Sequence, residues 1–364
     1  MNRITRTAVL LGVSIVSIVS ITACGSDEES SGSTATSTAS STASSTASST
    51  ATSDAASSST GAGSTGDTVD TSTTTATDLG PVDSSAAGVF SVETANGTVT
   101  LGARPVRIVS LSPTHTEMLF AIGAGDQVIA VDDQSNYPPE AASVASELSG
   151  FTPNIEAIAG YEPDLVVIGD DRSGLGEQLA AVDIPVWSGL SAVSFDDVYQ
   201  QLEQLGVLTG HVADAAAVVA GMETDIASIL NELPETEVPM TYYHELDPTY
   251  FSVTSDTFVG QIYSLAGLQN IADRANATSS YPQLSSELIV SADPELIFLA
   301  DTKCCGESAE TVAARDGWAG IAAVVNGNVI SMDDDLASRW GPRVVDYLRA
   351  VVDAVIDASV VAPS

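Results

Sequence analysis

The chain has 364 residues, room for two or three domains. It carries 48 Asp+Glu against 11 Lys+Arg, a formal net charge of -37. That excludes a nucleic-acid binder, which needs a basic footprint to displace counterions, and electrostatic docking to anionic lipid. Three cysteines are too few for a disulfide scaffold or a thiolate metal cluster. Lys303 is the single lysine. An acid excess of this size suits salty surroundings, where screening lowers self-repulsion.

The chain opens with Arg3 and Arg6, then a mostly apolar stretch from Ala8 to Ile21. This is a signal-peptide pattern, too short for an ordinary membrane-spanning helix of about 20 residues. It ends in Ile21-Thr22-Ala23-Cys24-Gly25-Ser26, which resembles the lipobox of bacterial lipoproteins. The resemblance implies a signal peptide over 1–23, cleavage before Cys24 and acylation of its sulfur; a plain secretory signal or an uncleaved anchor is the alternative. Two or more acyl chains anchor stably where one does not. From Ser31 to Gly80, 30 of 50 residues are Ser or Thr. Such a stretch buries too little apolar surface to offset its ordering entropy, so residues 24–89 are expected to be the lipidated cysteine and a disordered tether. The expected location is extracytoplasmic, on the outer face of the cell membrane.

From about Phe90 the pattern changes. Arg107 to Leu111 reads as a short buried strand, broken by Ser112-Pro113. Thr114 or Thr116 is expected to cap a helix that stops at Gly123–Gly125. Val128–Val131 reads as a strand and Asn154–Ile158 as a helix start. Pro163–Ile168 is a near-continuous apolar strand, as one covered on both faces should be. A helix near Leu175–Ala181 and a strand at Pro185–Trp187 follow. Strands alternating with helices predict an α/β lobe over 90–193 with a mostly parallel sheet. Residues 194–234 carry apolar positions every three or four residues, predicting a linker helix that Gly206 and Gly210 interrupt or bend. A second α/β lobe is expected over 235–364, with strand material at Leu246–Val253 and Pro294–Leu299. Glu156 and Glu287 each lie seven residues before a Pro that opens an apolar strand, with Asp164 and Glu295 after that Pro. This internal echo predicts two related lobes.

Several phrases together resemble the cobalamin/ferric-siderophore class of ABC-transporter substrate-binding proteins: RPVRIVSLSPTHTEMLFAIGAGDQVIAVDD, YPPEA, TPNIEAIAGYEPDLVVIG, YPQLSSELIVSADPELIFL and SRWGPRVVDYL. The resemblance spans residues from about 104 to 348. It implies two Rossmann-like lobes joined by a single long helix, with a ligand cleft between them and no chemistry on the ligand. It implies an importer's permease and ATPase as partners, a metal chelate as cargo (ferric siderophore or corrinoid, with haem as a further alternative), and a monomer. By position within the motifs, Glu156 and Glu287 would dock to permease arginines. Tyr137, Tyr281 and Arg339 would face the ligand. The sequence departs from the cobalamin binder at Gly150-Phe151 and Asp170-Asp171, which stand where tryptophans are expected.

Ligands of open α/β lobes sit outside the carboxyl ends of the strands. That rule selects 112–116, Tyr137, 170–172, 301–306 and 335–340. Asp171 would suit a ligand with positive or hydroxyl groups, or be a solvated turn acid. Cys304 and Cys305 are adjacent near the cleft rim and form either a vicinal disulfide, a free thiol pair or a soft-metal site. His115 is either a haem-iron ligand or a helix-start residue bonded to the backbone. The three histidines show no spacing for a metal cluster. No catalytic set stands out, and no cofactor is expected. A transporter-independent sensor or scavenger with the same fold, and an extracytoplasmic enzyme, are the alternative readings.

Overall fold

Short apolar runs bounded by Pro, Gly or Asp become the strands of two parallel sheets. The computed structural model describes residues 89–361 except 172, 276 and 277; Cys24, the signal segment and the Ser/Thr-rich stretch lie outside them. The described chain opens with an antiparallel hairpin, β1 (Phe90–Thr94) and β2 (Gly97–Leu101). The N-terminal lobe follows as β3 (Ile108–Ser110), α1 (Pro113–Ala121), β4 (Val128–Asp132), β5 (Ala145–Leu148), α2 (Ile155–Ala159), β6 (Leu165–Ile168), α3 (Leu175–Ala180) and β7 (Val186–Ser188). Two helices come next, α4 (Phe195–Thr209) and α5 (Val212–Leu230). The C-terminal lobe comprises β8 (Thr241–Glu245), α6 (Phe258–Leu265), β9 (Gln269–Asn270), α7 (Ser286–Ala292), β10 (Leu296–Leu299), α8 (Thr302–Cys305), α9 (Ala309–Ala313), α10 (Ala322–Asn326), β11 (Val329–Ser331), α11 (Asp334–Ser338) and α12 (Val344–Val361).

The N-lobe sheet has the order β5-β4-β3-β6-β7 and the C-lobe sheet β11-β10-β8-β9. In each, the first strand is interior, with the second on one side and the proline-opened strand (β6 or β10) on the other; the N-lobe adds β5 outside β4. All pairings within these sheets are parallel. Apart from β5, the two lobes share one strand arrangement, and the echo in the sequence has a structural cause. Asp164 accepts the backbone N–H groups of Val106 and Arg107 at 2.9 and 3.0 Å, just ahead of β3. Glu295 accepts the N–H of Thr241 at 2.9 Å, at the start of β8. The acid after each proline thus ties the central strand to its neighbour.

β6 and β10 are buried along their whole length. Alternate side chains enter different layers. Ile108, Leu165 and Val167 join a cluster that continues through Val198, Leu202 and Met222 on α4 and α5 to Tyr242 and Phe298 of the C-lobe. Val109 and Val166 face a separate N-lobe layer, and Tyr243 and Ile297 a separate C-lobe layer. Each fully buried aliphatic side chain contributes about 1.5–3 kcal/mol. The shared cluster makes the connection between lobes a packed one.

Three local expectations change. Ser112, not Thr114 or Thr116, occupies the N-cap of α1, with Pro113 at its first turn; the fixed φ of proline suits that position. Thr116 instead bonds Ser110 and Ser135. The stretch 194–234 is two helices rather than one: Gly210, one of the two glycines expected to interrupt it, takes φ 83 at the end of α4, and α5 packs against both α4 and α12 of the C-lobe. The first C-lobe strand is Thr241–Glu245 rather than Leu246–Val253, which forms a turn and one isolated bridge, Phe251 to Gln283.

Candidate functional site

Both central strands end at points where the strand order reverses, and the cleft opens there. Its N-lobe half is a hollow of about 430 Å³ lined by Leu111, Ser112, Asp132, Gly150, Phe151, Gly169, Asp170, Asp171 and Trp340, among others. Its C-lobe half, about 450 Å³, is lined by Leu246, Val253, Phe258, Tyr281, Ala300, Cys304, Arg339 and Trp340, among others. Ser191 and Trp340 line both halves. A larger hollow, about 800 Å³, lies between the β1–β2 hairpin and edge strand β7. We place the site at the switch points, where strand carboxyl ends and loops from both lobes converge.

The N-lobe half is acidic. Asp171 accepts the N–H groups of Leu175 and Gly176 at 2.7 and 3.0 Å, holding the start of α3. Asp170 accepts from Ser191 N and Oγ at 2.8 and 3.0 Å. Asp132, at the end of β4, is buried with Oδ1 unpartnered within the protein. Burial pushes its carboxyl above the usual range, against hydrogen bonds from Ser135 and the Gln134 backbone. The sequence reading passed over Asp132 and Ser191, although the carboxyl-end rule points at Asp132 as the last residue of an apolar run.

The floor is organised around Gln201. Its Oε1 accepts from Trp340 Nε1 at 3.0 Å and its Nε2 donates to Leu190 O at 2.7 Å. His115 Nε2 donates to the same Oε1 at 2.9 Å, so Ser112 Oγ donates to Nδ1 at 2.7 Å. Burial lowers the His115 pKa to about 4. Both ring nitrogens are engaged by side chains, Ser112 and the distant Gln201, rather than by the backbone, and the fully buried His115 presents no free nitrogen to the cleft. A serine and histidine joined to a neutral amide lack the oriented acid of a hydrolytic triad. Among the described residues, no three His, Cys, Asp or Glu side chains converge to hold a metal ion.

Arg339 lines the C-lobe half, yet its guanidinium is engaged. It donates to Glu117 Oε1 and Asn136 Oδ1 at 2.9 Å each, to Gln134 O at 3.1 Å and to Asp335 Oδ1 at 2.8 Å. Arg343 donates to both oxygens of Glu117, at 2.9 and 2.6 Å. Glu117 is 3% exposed. This clasp joins α1 of one lobe to the α11–α12 segment of the other. Tyr137 sits at its edge, with the Arg343 guanidinium carbon 3.8 Å from the ring centroid; it lines a flanking hollow with Pro138 and Pro342 and neither half of the cleft. Tyr281 is 55% exposed and lines the C-lobe half.

Cys304 and Cys305 are joined as a vicinal disulfide. Both are exposed, at the end of α8, which Gly306 closes at φ 74. Glu156 and Glu287 are exposed in the first turns of α2 and α7, helices capped by Asn154 and Ser285. They occupy equivalent places, one per lobe.

A two-lobed α/β binding protein, with its cleft at paired strand ends, is the class this geometry defines. The periplasmic binding protein family model matches residues 108–336, and the chain belongs to that family. A cobalamin-binding protein of Halobacterium salinarum is 32% identical over 270 residues, covering 72% of each chain. A vitamin B12-binding protein of Pectobacterium atrosepticum is 31% identical over 67% of this chain and 86% of its own. The solved vitamin B12-binding protein of Vibrio cholerae superposes with a TM-score of 0.56 at 25% identity, over 70% of this chain and 98% of that one.

Proposed function

We propose that this protein is the extracytoplasmic solute-binding component of an ABC importer and that its cargo is a corrinoid. The observation that carries the cargo is the charge of the cleft. Asp132, Asp170 and Asp171 line one half. Arg339, the cation lining the other, is neutralised by Glu117 and Asp335. Such a lining repels ligand carboxylates and accepts amide or hydroxyl donors. A corrinoid periphery carries amides, whereas haem carries carboxylates. Relatives above 30% identity from Halobacterium salinarum and Pectobacterium atrosepticum are named for cobalamin or vitamin B12, which supports the same class over a ferric siderophore.

The remaining roles follow from this reading. Glu156 and Glu287 are the permease contacts, one on each lobe, so the transporter grips both. Cys24 carries the lipid anchor, as the name of a related ABC transporter substrate-binding lipoprotein from Bacillus subtilis suggests. Tyr281 and Trp340 supply flat apolar area for the macrocycle, and Asp171 accepts a peripheral donor. Tyr137 and Arg339 act at the closing edge between the lobes. The protein binds its cargo and does not transform it.

The test is titration of the purified protein with cyanocobalamin, a ferric hydroxamate and haem, followed by calorimetry. One-to-one binding of cyanocobalamin with haem excluded is expected. Preference for haem would overturn the charge argument, and binding of the hydroxamate alone would move the cargo to siderophores.

A further inference from the structure

We propose that Cys304 and Cys305 form a thiol–disulfide exchange site on the wall of the ligand cleft, reduced by small dithiols and setting ligand affinity. The proposal rests on the cleft being the solute site.

Chain entropy gives this bond little purpose. A disulfide stabilises mainly by closing a loop in the unfolded chain, and the effect shrinks with the loop. Here the sequence separation is 1, the smallest loop a chain can close. The bond is also exposed, and exposed disulfides are the exchangeable ones. Its effect must therefore be local.

The local surroundings are the cleft. Cys304 lines the C-lobe half with Tyr281, Phe258 and Trp340. Successive side chains on a helix diverge by about 100°. The bond holds both sulfurs on one side of α8 and presents an apolar surface. Reduction frees Cys305 to turn away and leaves a polar thiol at the wall.

α8 is coupled to the clasp between lobes. Thr302 Oγ1 donates to Asp334 Oδ1 at 2.9 Å, and the backbone N–H groups of Lys303 and Cys304 donate to Asp334 Oδ2 at 3.0 and 2.9 Å. Lys303 Nζ donates to Asp333 and Asp335 at 2.8 and 3.1 Å. Asp335 in turn holds Arg339 and accepts from Asn136 of the other lobe at 3.2 Å. A shift of α8 thus reaches residues that tie the lobes together.

The exchange balances as a two-electron step. One thiolate of the dithiol attacks Cys304 or Cys305, the Cys304–Cys305 bond breaks, and the second thiol displaces the protein sulfur. The reductant leaves as its cyclic disulfide, and its two protons end on the two cysteine thiols.

The experiment uses the full chain, oxidised or treated with dithiothreitol and freed of it under argon. Thiols are mapped by alkylation and peptide mass, which separates this pair from Cys24. Cyanocobalamin affinity and tryptophan emission are read in both states, alongside a Cys304→Ser/Cys305→Ser variant. Reduction should label both residues and weaken binding at least about fivefold. The variant should bind like the reduced protein and ignore dithiothreitol, with melting nearly unchanged. Equal affinity in both states, labelling before reduction, or resistance of the folded protein to reduction would each overturn the proposal. If cyanocobalamin binds neither state, the corrinoid reading fails by itself. Emission then decides: a redox-dependent change lost in Trp340→Phe supports the exchange site, and its absence overturns it.

Discussion

Replacing Glu117 with Ala removes the anion that holds two guanidiniums across the lobes. The side chains of Glu117, Arg339 and Arg343 are 2%, 8% and 20% exposed, so water does little to replace the lost partner. Breaking a buried pair from one side costs about 3–5 kcal/mol, because the remaining charge stays buried. Asp335 still holds Arg339 at 2.8 Å, and the Tyr137 ring still lies under Arg343, which points to the lower end, about 3 kcal/mol. For a folded unit of this size that is a fall in melting temperature of roughly 6–12 °C. Urea denaturation followed by circular dichroism reads the loss as a lower midpoint at constant slope. Glu117→Ala/Arg343→Met should recover part of it, since the pair is then removed together. A loss below about 1 kcal/mol, the value of an exposed ion pair, would refute the clasp.

Asp301 tests buried charge by pH. It is fully buried, both carboxylate oxygens lack a partner, and burial, then Glu245 and Glu307, push its pKa up to about 7 against Arg315. The unfolded chain releases this proton near pH 4 and the folded chain near 7. Its contribution is thus fully present below pH 4 and is lost as pH rises through 7. Asp301→Asn should melt higher than the parent at pH 8, with the gap closing toward pH 4; a lower melting point at pH 8 would sink this account. Charge reversal at the exposed Glu156 and Glu287 should abolish uptake while leaving cyanocobalamin affinity within about twofold, as for surface sites away from the cavity. Loss of affinity in Glu156→Arg or Glu287→Arg would place these residues in ligand binding instead.

Much of the lobe architecture was legible because its causes are local. Pro163–Ile168 and Pro294–Leu299 are apolar at every position, which marks strands covered on both faces, and β6 and β10 are buried throughout. Asn154 caps α2 as its residue type predicts. β8 was missed because Thr241-Tyr-Tyr-His-Glu245 looks polar. Its polar side chains are buried all the same: Glu245 meets Arg315 and His244 meets Tyr263, partners 70 and 19 residues away.

The sequence by itself determined the repeated lobe plan, the family phrases and the acidity of the chain. These depend on composition, periodicity and residues within a few positions of one another. Only the tertiary structure decided how the site's charges are spent. Arg339 reads as a ligand contact beside Trp340, yet its guanidinium meets Glu117 from 222 residues away. The acids around Trp340 come from the end of β4 and from the loop after β6. Which charges remain available to a ligand is set by such long-range pairings, and no window of sequence contains both partners.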